Sequence, residues 1–268
     1  MKTTFYLIAI FTLFSCKNLT ENEQVTERVL DSTSEVSKKI DVIPIENIEE
    51  KDENNFKILL PTKYRDWENK NPADDVTNKW LELYEKNGTY FLGKADYKIE
   101  RGFDECSGDS TKTIGTKNKT LILLEDIQLK LGALETVKFT KNKIWPTEKM
   151  SFRFNDIEFS LRAEGKVLSS EKVSTDNGTE IFQNVKGYKL YISANGGPEN
   201  LFLQQESFND TFVELLFVGD IDRDGKPDFI FGANRDYEEE RVILYLSSEA
   251  KDGKIIKKVS EIAVQFDC

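Results

Sequence analysis

Read as a string of apolar and polar positions, the chain changes character at Phe56. Beyond it, short apolar runs recur, each closed by a turn signal. Trp80-Leu81-Glu82-Leu83-Tyr84 and Tyr90-Phe91-Leu92 flank Asn87-Gly88. Asn-Gly between two such runs predicts a β-hairpin, because both turn positions need positive φ. The competing reading makes Asp75 to Lys86 a helix capped by Gly88. Asn155-Asp156 sits between Phe152-Arg153-Phe154 and Ile157-Glu158-Phe159, and Asn177-Gly178 interrupts the stretch before Ile181. Further strand-like runs cover Thr120 to Leu124, Gly187 to Ser193, Asn200 to Gln205, Thr211 to Val218, Arg241 to Leu246 and Ile255 to Phe266. Short strands punctuated by turns predict a mainly β domain over residues 56–268, an antiparallel sandwich or partly open barrel.

The first 55 residues have a different pattern. Lys2 precedes an apolar run from Phe5 to Phe14 broken only by Thr12. It is too short for a spanning helix, which needs about 20 residues, and has the form of a cleaved export signal over residues 1–15. Leu13-Phe14-Ser15-Cys16 resembles the lipobox of bacterial lipoproteins, although Phe14 stands where a small residue is usual. The resemblance implies a diacylglycerol thioether on Cys16 and stable attachment to a membrane. It places the protein on a bacterial cell envelope, at the periplasmic or outer face. From Lys17 to Asn55 there are 11 acidic and 5 basic residues, with no aromatic residue and no glycine. Such a segment cannot bury enough apolar surface to offset its ordering entropy, and residues 16–55 read as a lipidated, disordered tether. Val25, Val29, Val36 and Ile40 fall near helical spacing, which keeps a short amphipathic helix open.

Composition narrows the chemistry. The 268 residues include no histidine, which excludes Ser-His-Asp and Cys-His catalysis and histidine-ligated zinc. A net charge of -11, with 37 basic residues against 48 acidic ones, argues against nucleic-acid binding. Three cysteines are too few for a four-thiolate zinc site. With Cys16 taken by lipid, Cys106 and Cys268 form an even pair in an oxidising setting, which reads as one disulfide; two separate thiols are the alternative.

Candidate metal chemistry lies in the hairpin at 218–232. Val218-Gly219-Asp220-Ile221-Asp222-Arg223-Asp224-Gly225-Lys226-Pro227-Asp228 puts carboxylates at loop positions 1, 3, 5 and 9 and glycine at 6, the spacing with which a chain folds around Ca²⁺. Asp220, Asp222 and Asp224 would each give an oxygen, Lys226 its carbonyl, and Asp228 a carboxylate directly or through water. An EF-hand is excluded because position 12 is Phe231 and the flanks read as strands. The loop is similar to the calcium loop of FG-GAP and VCBS-type repeats, which implies the same five ligands. It occurs once, so the repeat family's propeller does not transfer. Since all donors are local, the expected role of the ion is structural rather than catalytic.

Other clusters have plainer readings. Glu238-Glu239-Glu240 reads as a solvated edge, Asp104, Glu105 and Asp109 around Cys106 as a turn, and Trp67, Trp80 and Trp145 chiefly as core. Two function classes follow. One is a non-catalytic, calcium-stabilised binding or interaction module with a protein or glycan partner. The other is a polysaccharide hydrolase using a carboxylate pair, the main hydrolytic mechanism that needs no histidine.

Overall fold

The structure is a computed structural model that describes residues 56–125, 129–175 and 178–266. The expected signal, Cys16, the tether, Asn177 and Cys268 lie outside the described residues. No helix among the described residues is long and apolar enough to cross a membrane.

The described chain is mainly β, as expected, with about 60% of it in strands. The strands are β1 (Ile58–Leu59), β2 (Lys63–Arg65), β3 (Leu81–Lys86), β4 (Thr89–Lys94), β5 (Tyr97–Asp104), β6 (Asp109–Thr116), β7 (Lys119–Leu124) and β8 (Gly132–Ala133). They continue with β9 (Lys149–Phe154), β10 (Ile157–Thr175), β11 (Gly178–Ala194), β12 (Asn200–Ser207), β13 (Glu214–Gly219), β14 (Asp228–Gly232), β15 (Glu239–Leu246) and β16 (Lys257–Gln265). Four antiparallel sheets result, ordered β1-β7-β3-β4-β8, β12-β11-β10-β9, β13-β14-β15-β16 and β2-β6-β5, without a closed barrel.

The predicted hairpins form where turn chemistry demanded them. Asn87 and Gly88 adopt φ of 52° and 76° between β3 and β4, so the helical alternative for Asp75 to Lys86 gives way to the turn. Only Pro72–Asp75 makes a short 3-10 turn there, opened by Asn71, whose side chain accepts from Ala73 N at 2.9 Å.

The β13–β16 sheet is the middle layer, and its strands bury side chains on both faces. Ile230, Val242, Leu244 and Leu246 join the core made by β1, β3, β4 and β7 around Trp80 and Leu83. Phe229, Phe231, Ile243 and Tyr245 join a second core with Phe159, Leu161, Tyr188 and Leu190 of β10 and β11. This explains why Phe229-Ile230-Phe231 and Val242 to Leu246 are continuously apolar rather than alternating: a strand with no solvent face has no polar position to place. At about 1.5 to 3 kcal/mol per fully buried large side chain, each face of β14 contributes several kcal/mol.

β10 and β11 run far past their neighbours. β9 pairs only as far as Arg162 and β12 only as far as Lys186, so the rest of the hairpin is a two-stranded ribbon, with Val167, Leu168 and Ile181 exposed.

Cys106 lies in the turn between β5 and β6, where its N–H donates to Asp104 Oδ1 at 3.1 Å. The Asp104 carboxylate also takes Lys63 Nζ at 2.8 Å and Arg65 Nε at 3.2 Å, and these cations hold it well below the usual carboxylate range. Its charge stabilises the fold above an unfolded value near 3.8, and that contribution is lost as the pH falls through the depressed folded value. Asp104→Asn is therefore expected to flatten the acid limb of a melting-temperature profile recorded between about pH 2 and pH 6; an unchanged acid limb would show that Asp104 carries none of it.

One reading of a side-chain run changes. Glu239 is not a solvated residue: it is buried, accepts Arg235 N at 2.8 Å and Arg235 Nε at 3.0 Å, and so caps the β14–β15 turn with a charge-assisted pair. Trp80 and Trp145 are core residues, one in each core, whereas Trp67 is 77% exposed.

Candidate metal centre

The loop between β13 and β14 crosses the end of the middle sheet. Two devices fix its path. Gly219 backs onto the preceding segment so closely that an added Cβ would lie 2.4 Å from Glu135 O, and Asp220 N donates to that same carbonyl at 3.0 Å. Arg223 adopts φ of 65°, unusual for a side chain of its size, and Gly225 follows at 83°. These left-handed residues reverse the chain and turn alternate carboxylates inward.

The result brings Asp220, Asp222 and Asp224 together, with one carboxylate oxygen from each lying within 4.8 Å of the others. Asp220 is buried, Asp222 half-buried and Asp224 exposed, so the group opens from the protein interior towards solvent. Asp220 Oδ2 accepts Gly225 N at 3.0 Å, while Asp220 Oδ1 is buried with no hydrogen-bond donor on it among the described residues. An unmatched buried carboxylate oxygen is costly, about 1 to 3 kcal/mol, and a cation is the partner that two adjacent carboxylates favour. Burial first, then the Asp222 and Asp224 charges, push the Asp220 carboxyl above its ordinary value.

Asp228 and Lys226 are placed differently from the other three. Asp228 is fully buried, and both of its oxygens are engaged. Oδ2 takes Ile221 N at 2.7 Å, and Oδ1 takes Ser247 N at 2.9 Å. It therefore ties the start of the loop to the end of β15. Burial drives its carboxyl well above the ordinary range, opposed by those same amides. Lys226 N donates to Asp224 Oδ1 at 2.8 Å, and its ammonium stands 3.8 Å from Asp224 Oδ2.

Four residues that local spacing does not announce complete the centre. Ser247 Oγ lies 3.0 Å from Asp224 Oδ1 and 3.2 Å from Asp228 Oδ1, a single hydroxyl proton between two carboxylates. Ser248 Oγ donates to Asp222 Oδ2. Arg223 donates from Nη2 to Ala133 O at 2.8 Å and from Nε to Lys130 O at 3.2 Å, anchoring the loop to the β8 segment. Asn155, in the β9–β10 turn, donates to Gly225 O at 2.8 Å. The loop thus touches turns of both outer sheets. An all-oxygen group with three carboxylates and no sulfur or imidazole suits a hard cation such as Ca²⁺ or Mg²⁺.

The chain matches no family model, no curated protein and no solved structure.

Proposed function

We propose that the protein is a non-catalytic binding module, held on a bacterial envelope by lipid on Cys16 and braced by one structural Ca²⁺ at Asp220, Asp222 and Asp224. The observation that carries the metal reading is the convergence of these carboxylates together with Asp220 Oδ1, a buried oxygen that has no donor among the described residues. Calcium is preferred to magnesium because the donors sit on an irregular loop of mixed burial, and Ca²⁺ accepts six to eight oxygens in flexible geometry whereas Mg²⁺ demands a near-ideal octahedron. Asp228 would complete the site by fixing the loop backbone.

A hydrolase cleft would set two carboxylates beside an exposed aromatic platform. Of two clefts among the described residues, one contains a single carboxylate, Glu148, held at 2.6 Å by Lys141, and the other is lined by Glu214, paired with Lys143 at 3.2 Å, and Glu240; exposed Trp67 lines neither. The Cys106–Cys268 disulfide belongs to the same proposal. Phe266 O accepts from Arg65 Nη2 at 3.2 Å, and Arg65 also bonds Asp104, two residues from Cys106. The end of the described chain is thereby held near the cysteine turn.

Calorimetry on the purified chain tests the calcium site. Titration with CaCl₂ should give heat with a dissociation constant of about 10⁻⁴ to 10⁻³ M, a stabilisation of about 2.7 kcal/mol at a hundredfold excess over that constant, and no heat in Asp222→Asn with Asp224→Asn. Silence at 10 mM, roughly ten times the upper value, would remove the reading.

A further inference from the structure

The middle of the molecule carries a second feature, on the opposite side of β9 from β10. A cleft of about 450 Å³ runs beside four consecutive residues of this strand, Lys149, Met150, Ser151 and Phe152. Its far wall is the irregular segment from Val137 to Ile144, which is itself fastened to the edge of β13 by Val137 N to Val218 O at 3.0 Å and Leu215 N to Asn142 O at 2.7 Å. That segment protects β13. Among the described residues the edge of β9 has no such cover, and β9 ends its sheet.

The register decides which main-chain groups the edge offers. The two-residue turn makes Phe154 and Ile157 the closing pair, so Phe152 with Phe159 and Met150 with Leu161 exchange hydrogen bonds with β10. Lys149, Ser151 and Arg153 are then the positions whose N–H and C=O point into the cleft. The far side of β10 agrees: Glu158, opposite Arg153, turns its own main chain towards Asn195, with Asn195 N to Glu158 O at 2.7 Å and Glu158 N to Asn195 Oδ1 at 2.9 Å.

Side chains on the two faces of β9 differ in kind. On one face Met150 and Phe152 are half-buried, with Phe152 edge-on to Phe139 at 5.7 Å across the cleft and Ile144 buried beside it. On the other, Lys149, Ser151 and Arg153 are all exposed. Lys149 and Arg153 form no ion pair within 4.0 Å among the described residues, although Glu158 lies across from Arg153 and Glu199, bound to Arg162, lies near enough to Lys149 for that charge to help hold its carboxyl below the ordinary value. Lys141 and Lys143 at the opposite rim are already neutralised, by Glu148 and by Glu214 and Glu180. Lys138 reaches instead over the Gly88 turn. In a chain of net charge -11, this edge is a local cationic strip above an apolar floor.

We infer that the β9 edge and its cleft accept an extended segment of a partner protein as an added strand, with apolar side chains facing Phe139 and Phe152 and acidic ones facing Lys149 and Arg153. A strand set about 4.8 Å from β9 would receive its N–H and C=O groups from Lys149, Ser151 and Arg153, and its pleat would deliver alternating side chains to the two faces. The pattern is therefore acidic-apolar-acidic-apolar over at least four residues. The site is distinct from the aspartate loop, so either reading can fail alone.

The probe is the labelled peptide Ac-(Asp-Val)₄-NH₂, followed by fluorescence anisotropy with the full chain in calcium and in EDTA. Saturable binding is expected, weakened about tenfold or more by N-methylation of alternate residues on the edge-facing register, because each lost bond is worth about 1 kcal/mol and two are removed. Lys149→Glu with Arg153→Glu should weaken it by a similar factor, with an unchanged circular dichroism spectrum. Ac-(Lys-Val)₄-NH₂ should bind much less. Equal affinity for the methylated or the lysine peptide, or no saturation at 1 mM, would overturn the proposal. So would a concentration-dependent dimer that the double variant abolishes, since the edge would then be taken by a second copy.

Discussion

Asp228→Ala is expected to lower the unfolding free energy by about 3 to 5 kcal/mol, the largest effect of any single polar substitution in the domain. The side chain is completely buried and accepts from Ile221 N, Ser247 N and Ser247 Oγ. Its removal leaves two interior amides with no acceptor, each costing about 1 to 3 kcal/mol, and frees the loop from the end of β15. Asp222→Ala is the control. Its carboxylate is half-exposed and accepts within the loop and from Ser248, so without calcium the variant should cost little or even stabilise by relieving repulsion. Urea unfolding of both variants in EDTA separates the two roles; equal midpoints would mean that Asp228 is not the residue that fastens the loop.

Phe229→Ala should cost about 3 to 5 kcal/mol and Ile230→Ala about 2 to 5 kcal/mol although these neighbouring residues face opposite cores. Both side chains are fully buried, and the middle sheet around them has no room to collapse from either side. Because the sheet belongs to both cores, loss on one face should be felt on the other. Trp80 and Trp145 provide the readout, one tryptophan per core. In chains that keep only one of them, with the other two replaced by Phe, the fluorescence midpoints in urea should coincide, and Phe229→Ala should move both together. Two separated midpoints would show that the cores unfold independently.

Much of this architecture is legible locally. Asn87-Gly88 specifies its own turn, and the runs flanking Asn155-Asp156 become β9 and β10, because turn residues and alternation act over a few neighbours. The strand Leu81–Lys86 forms in place of a helix for the same reason. β5 carries no such signal, because Lys98, Glu100, Arg101 and Gly102 give Tyr97–Asp104 no apolar alternation, and the structure leaves almost all of that strand exposed. The run Glu238 to Glu240 misleads in the opposite direction. Its middle residue is inside, a placement that depends on Arg235 folding back upon it.

The aspartate loop shows the same division within one site. Asp220, Asp222 and Asp224 converge because alternate residues of a tight turn point inward, which spacing alone conveys. Ser247 and Ser248 reach the loop from the end of β15 and Asn155 from the β9–β10 turn, while Arg223 leaves the loop for the β8 segment, and no run of sequence marks these contacts. The carboxylate of Asp228 fits the ninth loop position in spacing, but its place in the interior makes it an acceptor for main-chain amides.

The ribbon formed by β10 and β11 beyond Lys166 and Lys186 has no third strand beside it. Val185 and Phe182 pack its base on the second core, whereas the pairs from Lys172 with Ile181 to Thr175 with Gly178 belong to neither core. Removing two residues from each strand of that outer part would keep the pleat in phase and draw the tip in by about 6.6 Å, at 3.3 Å per residue, without disturbing a layer. It is an adjustable ruler on an otherwise fixed body, and the distance at which its tip stands from the sheets is a quantity that selection can tune by whole pleats.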